Sequence, residues 1–342
     1  MKDVYIHIGP HKTGSTTIQH FLMGNTDLLR KRDDLHVCTT GRVWKGQNIN
    51  LAWQFVNKDR REKDGGSWED LTAEINASDS SKFIVTSETF SRLRPKHVST
   101  IATFLSGYNV YVIFYARRPE DRLHSRYTQL IKNMNEVDTP ENYVTRMLSD
   151  DLISEIHNIL AVWADVFGDD AIKLRVQEKS QLVGGDLVSD FCDAVGVGLD
   201  GSEFYPEREL NVSPGPKSLE MLRQLGIAKR KSAPTAKWWV LYEMYGARIL
   251  SYGGKKGWND TPARLFSADL LRTIRDHFRQ QEEWAAQRFL GRRDGLLFRE
   301  RQPIEEIEYH NLDDYTPTKT ELLTFICHLL EMRARGKAKG QK

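Results

Sequence analysis

The sequence predicts an α/β fold: a parallel sheet flanked by helices, followed by a mostly helical C-terminal part. Two observations carry this expectation. Short runs rich in β-forming residues alternate with helical stretches through the first half of the 342 residues, and such alternation favours a parallel sheet covered on both faces. The two segments richest in anion-binding chemistry both begin where a predicted strand ends, and open α/β sheets bind ligands beyond the carboxyl ends of their strands.

The first strand is read at Val4–Ile8. It runs into Gly9-Pro10-His11-Lys12-Thr13-Gly14-Ser15-Thr16-Thr17, a glycine-containing loop with one lysine and a run of hydroxyls. A helix follows, with Ile18, Phe21, Leu22, Leu28 and Leu29 on one apolar face. This is a phosphate cradle, which makes the sheet P-loop-type. Backbone N–H groups at a helix N-terminus are unpaired and the helix dipole favours an anion there. Lys12 adds a full charge, and Ser15, Thr16 and Thr17 can donate hydrogen bonds. A Walker A loop carries its lysine directly after the second glycine. Here Ser15 follows Gly14 and the lysine lies two residues earlier, which argues against an ATPase.

Further strands are read at His36–Thr39, Phe83–Ser87, Val110–Ala116 and Ile172–Val176. After the fourth, Pro119, Glu120 and Asp121 suit the first turn of a helix. Leu123, Tyr127, Leu130, Ile131 and Met134 give that helix its apolar stripe. Arg117 stands at the strand end, and Arg122 and Ser125 lie three apart on another helix face. A guanidinium fork beside a hydroxyl suits an isolated phosphate monoester. Arg126 reads as a solvated surface charge.

These motifs resemble those of sulfotransferases that use 3′-phosphoadenosine-5′-phosphosulfate (PAPS), of the bacterial and Golgi carbohydrate type. The Gly9–Thr16 pattern resembles their 5′-phosphosulfate loop. Arg117-x-Pro119-x-x-Arg122-x-x-Ser125-x-Tyr127 resembles their 3′-phosphate motif. Phe83 to Glu88, Ile159 to Trp163 with Ile172 to Val176, and Leu210 to Ser213 resemble segments of bacterial members; the likeness is good to about Leu225 and thin beyond. It implies sulfuryl transfer from PAPS to a hydroxyl or amine of a carbohydrate or glycolipid, leaving 3′-phosphoadenosine-5′-phosphate. It further implies that Lys12, Thr13, Gly14, Ser15, Thr16 and Thr17 hold the 5′-phosphate side, that Arg117 and Ser125 hold the 3′-phosphate, and that Lys12 stabilises the leaving oxygen. No metal is required. Glu88, at a strand end on the ligand side, is the first choice for the base that takes the acceptor proton; Asp34 and His36 are the alternatives. A P-loop kinase-like phosphotransferase and a non-catalytic binding protein on the same fold are the competing readings. His7 alternates within its strand and reads as packed in the sheet.

Composition sets the limits. Hydrophobic residues at 39% and charged ones at 28% describe a soluble globular chain. A net charge of +2 argues against a general polyanion-binding surface, so no nucleic-acid partner is expected. Cys38, Cys192 and Cys327 lack metal-type spacing and imply a reducing compartment. No apolar run reaches transmembrane length, which leaves only peripheral membrane contact open. With the loop beginning within the first ten residues, a cytoplasmic, bacterial enzyme is expected. Oligomeric state is not legible.

Residues 40 to 70 read as a loop-rich segment with Trp44, Asn48, Asn50, Trp53 and Trp68, suited to a substrate or adenine wall. Trp53 itself reads as core. The turn at Asn211–Pro216 opens the helical part. Trp238, Trp239, Leu241, Tyr242 and Tyr245 read as one buried helix face, and Leu270, Leu271, Ile274, Phe278 and Trp284 as another. The expected division is one domain over 1–332, with an α/β core at 1–210 and a helical part at 211–332, then a basic, disordered tail at 333–342.

Overall fold

A computed structural model describes residues 1–43, 46–149, 156–198 and 213–339, with the side chains of 238 and 332–339 outside the description. Five strands form the sheet: β1 Asp3–His7, β2 Leu35–Val37, β3 Lys82–Thr86, β4 Asn109–Ala116 and β5 Ile172–Val176. They lie in the order β2-β3-β1-β4-β5, every neighbouring pair parallel. Parallel strands need crossovers, and those crossovers put helices on both faces. The pleat sorts the side chains accordingly. Val4, Ile6, Phe83, Val85, Val112 and Phe114 face one core layer, with Trp68, Ile101 and Trp163 packed against them. Tyr5, Ile84, Ile113 and Tyr115 face the other, with Ile18, Leu22 and Phe191.

From β1 the chain passes toward β2 and β3; from β4 it passes the opposite way, to β5. The connections diverge between β1 and β4, whose register runs from Asp3 opposite Asn109 to His7 opposite Ile113. That topological switch opens a crevice at the carboxyl edge, between the β1 and β4 loops.

The chain divides into two compact units, with one cut between Leu210 and Asn211 and further cuts on either side of it. One comprises Met1–Arg122, Asp150–Leu210 and Arg275–Arg301; the other comprises Leu123–Ser149, Asn211–Ile274 and Gln302–Lys342. Burial explains why part of the C-terminal half joins the α/β unit: Ala285, Ala286, Leu297 and Phe298 sit in the sheet's own apolar layer. Buried Glu178, beyond β5, fastens that return by accepting from the Arg299 N–H (2.7 Å) and Gln181 Nε2 (2.6 Å).

In the second unit Leu270, Leu271, Ile274, Tyr127 and Tyr143 are buried. Two expectations need correction there. Trp239 is 47% exposed, not buried, and Leu241, Tyr242 and Tyr245 are only half-buried; successive helical residues stand about 100° apart, which turns Trp239 off the face those three share. The tail expected to be disordered is helical as far as Lys339, within Lys319–Lys339; its Ala, Arg and Lys are strong helix formers, which outweighs the charge. Among the described residues no helix is long and apolar enough to cross a membrane.

Candidate functional site

The β1 loop owes its shape to two left-handed residues. Lys12 has φ 73° and Gly14 φ 78°. Glycine suits position 14 because of this left-handed φ, and a Cβ there would also displace the tip of the Leu187 side chain, whose Cδ2 lies 2.2 Å away. Lys12 adopts this conformation with a side chain, at a cost of about 1 kcal/mol. Inside the loop, the Thr13 hydroxyl donates to the Pro10 carbonyl at 2.9 Å. Thr13 is fully buried, so its hydroxyl braces the loop and its offering to a ligand is the backbone N–H. The helix Ser15–Gly24 then starts on Gly14, which gives its first turn no side-chain cap. Ser15 is buried and its Oγ has no protein partner; Thr16 is exposed and Thr17 half-buried.

His7 forms the floor. A Cβ on Gly9 would stand 2.9 Å from His7 Nε2 and 3.1 Å from both Ser15 Oγ and Thr13 Oγ1, so three polar atoms converge where Gly9 has none. The ring lies edge-on to Tyr115 and Phe191, and its Nδ1 shares a 2.8 Å hydrogen bond with Thr86 Oγ1. Burial pushes its pKa down to about 4, with the Glu88 charge acting the other way. The imidazole is therefore neutral near pH 7. Its alternation in β1 predicts this packing; its place beneath the loop is visible only in three dimensions.

Arg117 comes from the adjacent strand end. Its Nη1 donates to the Lys12 carbonyl oxygen at 2.7 Å, which joins the two segments singled out in the sequence across the β1–β4 crevice. Burial lowers its pKa, opposed by Asp121. Arg118 points elsewhere, to Asp121 at 2.7 Å and the Glu300 carbonyl at 2.6 Å. Ser125 is half-buried in the helix Pro119–Lys132, in the stretch of it that belongs to the second unit. Arg126 is exposed.

Glu88 reaches the loop through a neighbour that the sequence reading left aside. Its Oε2 lies 2.5 Å from His11 Nδ1, with the His11 side chain 51% exposed and that of Glu88 14%. Ser87, not Glu88, caps the short helix Glu88–Arg92 by accepting from the Thr89 N–H. The two alternative bases sit away from this edge. Asp34 precedes β2, at the amino edge of the sheet, where it accepts from the Ser81 N–H (2.9 Å) and Ser81 Oγ (2.5 Å). His36 lies within β2 and pairs with Glu74 Oε1 at 2.8 Å. Gln177, just past β5, also went unnoticed: its Nε2 would be 3.3 Å from a Cβ on Gly14. A lone glutamine after a strand carries no motif.

His36, Cys38 and Glu74 bring ligand-type atoms within 4.8 Å of one another. Their hydrogen bonds account for the grouping. Glu74 accepts from His36, from the N–H and hydroxyl of Thr39, and from the Thr40 N–H. Burial raises its pKa, but these donors more than offset that and hold it well below the usual carboxylate range. Burial also keeps the Cys38 thiol protonated.

The segment 40–70 is a scaffold more than a wall. Asn48 accepts from the Thr86 N–H and donates to the Cys38 and Thr40 carbonyls. Asn50 ties Glu62 to Gly66. Trp68 is fully buried, with its indole N–H on the Leu51 carbonyl, and Trp53 is half-buried. Trp44 lies outside the described residues, as do Leu210 to Val212. What the segment does shape is a polar cavity of about 500 Å³ beyond the carboxyl end of β2, lined by Thr39, Thr40, Arg42, Glu62, Asp64 and Gly66.

No family model matches the chain. It is 23% identical over 234 residues to an uncharacterized protein of Archaeoglobus fulgidus, covering 68% of this chain and 60% of that one. Two solved structures it is similar to are sulfotransferases. One is from Alicyclobacillus acidocaldarius, at 14% identity and a TM-score of 0.39, over 68% of this chain and 95% of that one. The other is mouse sulfotransferase SULT7A1 complexed with PAP, at 10% identity and a TM-score of 0.36, over 80% of this chain and 88% of that one.

Proposed function

We propose that this protein is a PAPS-dependent sulfotransferase that transfers a sulfuryl group to a hydroxyl or amine of a carbohydrate or glycolipid. One observation carries the reading: Arg117 from β4 is hydrogen-bonded to the backbone of Lys12 in the β1 loop, at the switch point of a parallel sheet. Two anion-binding segments, some hundred residues apart in the chain, then serve one crevice. The loop's own features suit a phosphate-type oxygen cluster: an uncapped helix start, a buried serine Oγ without a protein partner, and a positive charge on Lys12. PAPS is a substrate in this scheme. Thr13, Gly14, Ser15, Thr16 and Thr17 would hold its 5′-phosphate through N–H and hydroxyl groups, and Arg117 with Ser125 its 3′-phosphate.

The acceptor oxygen or nitrogen attacks sulfur in line as the bond from sulfur to the bridging phosphate oxygen breaks. Negative charge grows on that leaving oxygen, and Lys12 neutralises it. The acceptor proton passes to Glu88, the only one of the three candidate bases at the carboxyl edge of the sheet. His11 orients the Glu88 carboxylate before substrate arrives. The cavity beside Thr39 and Arg42 offers both donors and acceptors, as a polyhydroxylated acceptor requires.

Titration calorimetry with 3′-phosphoadenosine-5′-phosphate against ATP–Mg tests the donor assignment. Selective binding of the former, weakened about 10- to 100-fold in Arg117→Ala, is the expected result, since a hydrogen bond to a charged group is worth about 1.5–3 kcal/mol. Selective binding of ATP–Mg would refute it. Labelled PAPS supplied with fractionated cell-envelope glycans then identifies the acceptor.

A further inference from the structure

Large apolar side chains left in water are unevenly placed in this protein. Seven of the twelve among the described residues fall in two helical stretches of the second unit. Trp239, Val240 and Met244 belong to the first, which runs through Trp238–Leu241 and Tyr242–Gly246 into Ala247–Lys255. Leu322, Leu323, Ile326 and Leu330 belong to the second, the helix Lys319–Lys339. At spacings of three, four and seven residues, these four make a continuous stripe. The opposite face of that helix is already used: Phe325 and His328 pack on Tyr252, at 5.5 and 5.2 Å between ring centres. Tyr252 belongs to Ala247–Lys255, so the two stretches adjoin and each keeps an uncovered apolar strip.

Charge follows the same pattern. Residues 229–257 hold seven Lys or Arg against one acidic residue, Glu243, and residues 319–342 hold six against two. Together they carry +10 in a chain whose net charge is +2, so the remainder is acidic. Arg230, Lys231, Lys237, Arg248, Lys255 and Lys256 are largely exposed, and the Lys237 ammonium lies 5.0 Å from the centre of the exposed Trp239 ring.

We propose that these two stretches form a docking surface for an anionic lipid bilayer. An apolar strip bordered by the exposed Arg230, Lys231, Lys237, Arg248, Lys255 and Lys256, beside a second one on the helix Lys319–Lys339, matches such a surface on both counts, hydrocarbon below and negative headgroups above. A second copy of the chain would satisfy the apolar strips but would set one strongly basic patch against another. No described helix can span a bilayer, so the contact lies along the interface. Trp239, an amphipathic ring beside a lysine, suits headgroup depth. The inference is independent of the donor and acceptor assignments.

Cosedimentation of the full chain with phosphatidylcholine vesicles, with and without phosphatidylserine, tests it. Binding is expected only with phosphatidylserine and weakens as salt is added. The double variant Lys231→Gln/Lys237→Gln should bind about thirtyfold more weakly, at about 1 kcal/mol for each lysine. Leu323→Glu/Ile326→Glu should abolish binding. Circular dichroism and sedimentation velocity accompany each variant; if the Leu323/Ile326 pair loses helix, the lysine pair decides alone. No binding to phosphatidylserine vesicles at low salt would overturn the proposal. So would a dimer of the parent chain that Leu323→Glu/Ile326→Glu disperses while vesicle binding persists.

Discussion

Replacing His7 by Asn probes the floor of the β1 loop. In the folded chain the imidazole titrates at about 4 instead of 6.5, because its charged form would be buried between Tyr115 and Phe191. The native state therefore refuses a proton that the unfolded chain accepts. Stability rises with pH wherever the unfolded state binds more protons, so the contribution is complete above pH 6.5 and is lost as pH falls through about 4. Moving the titration that far is worth about 3 kcal/mol. Urea unfolding of the parent and of His7→Asn, each at about pH 7 and about pH 4, reads the effect as a difference of differences. The parent should lose about 3 kcal/mol more than the variant over that interval. Buried Glu282 titrates the other way, its pKa raised by burial to about 7 against the pull of Arg301. It is present in both proteins and cancels. Equal losses in the two proteins, or an imidazole that titrates near 6.5 by NMR, would refute a neutral histidine beneath the loop.

Four other substitutions separate the roles of individual residues. Gly14→Ala should cost about 2–4 kcal/mol in urea unfolding, from a left-handed alanine and the displacement of Leu187, and should abolish nucleotide binding by calorimetry. Glu178→Ala strands the N–H groups of Arg299 and Glu300 and should destabilise by about 2–4 kcal/mol, while nucleotide affinity at low temperature holds. For the base, Glu88→Gln should lower kcat at least a hundredfold with nucleotide affinity kept, whereas Asp34→Asn should leave turnover at the parent level; the reverse result in a sulfuryl-transfer assay reassigns the base.

The proposed lipid docking and the proposed donor site draw on different parts of the chain. Overall charge near neutrality masks an acidic remainder and a basic helical region. Sequence composition averages over that asymmetry, and only the exposure of Trp239 and of the Leu322–Leu330 stripe marks where it acts.

Local physics made much of this protein legible from its sequence. Runs such as Val110–Ala116 can be satisfied only inside a sheet covered on both faces, and all five strands lie within one or two residues of their expected bounds. Glycine marked the turn of the β1 loop because its left-handed backbone conformation is written in adjacent residues. Contacts between distant residues were decided by the tertiary structure alone. Strand order set β1 beside β4 and so brought Arg117 to Lys12, and it put Asp34 and Glu88 at opposite edges. The His11–Glu88 pair, the approach of Gln177 to Gly14 and the return of residues 275–301 to the sheet have no local signature. Each depends on which surfaces the chain could bury together, a choice made by packing over the whole fold and not by any short stretch of it.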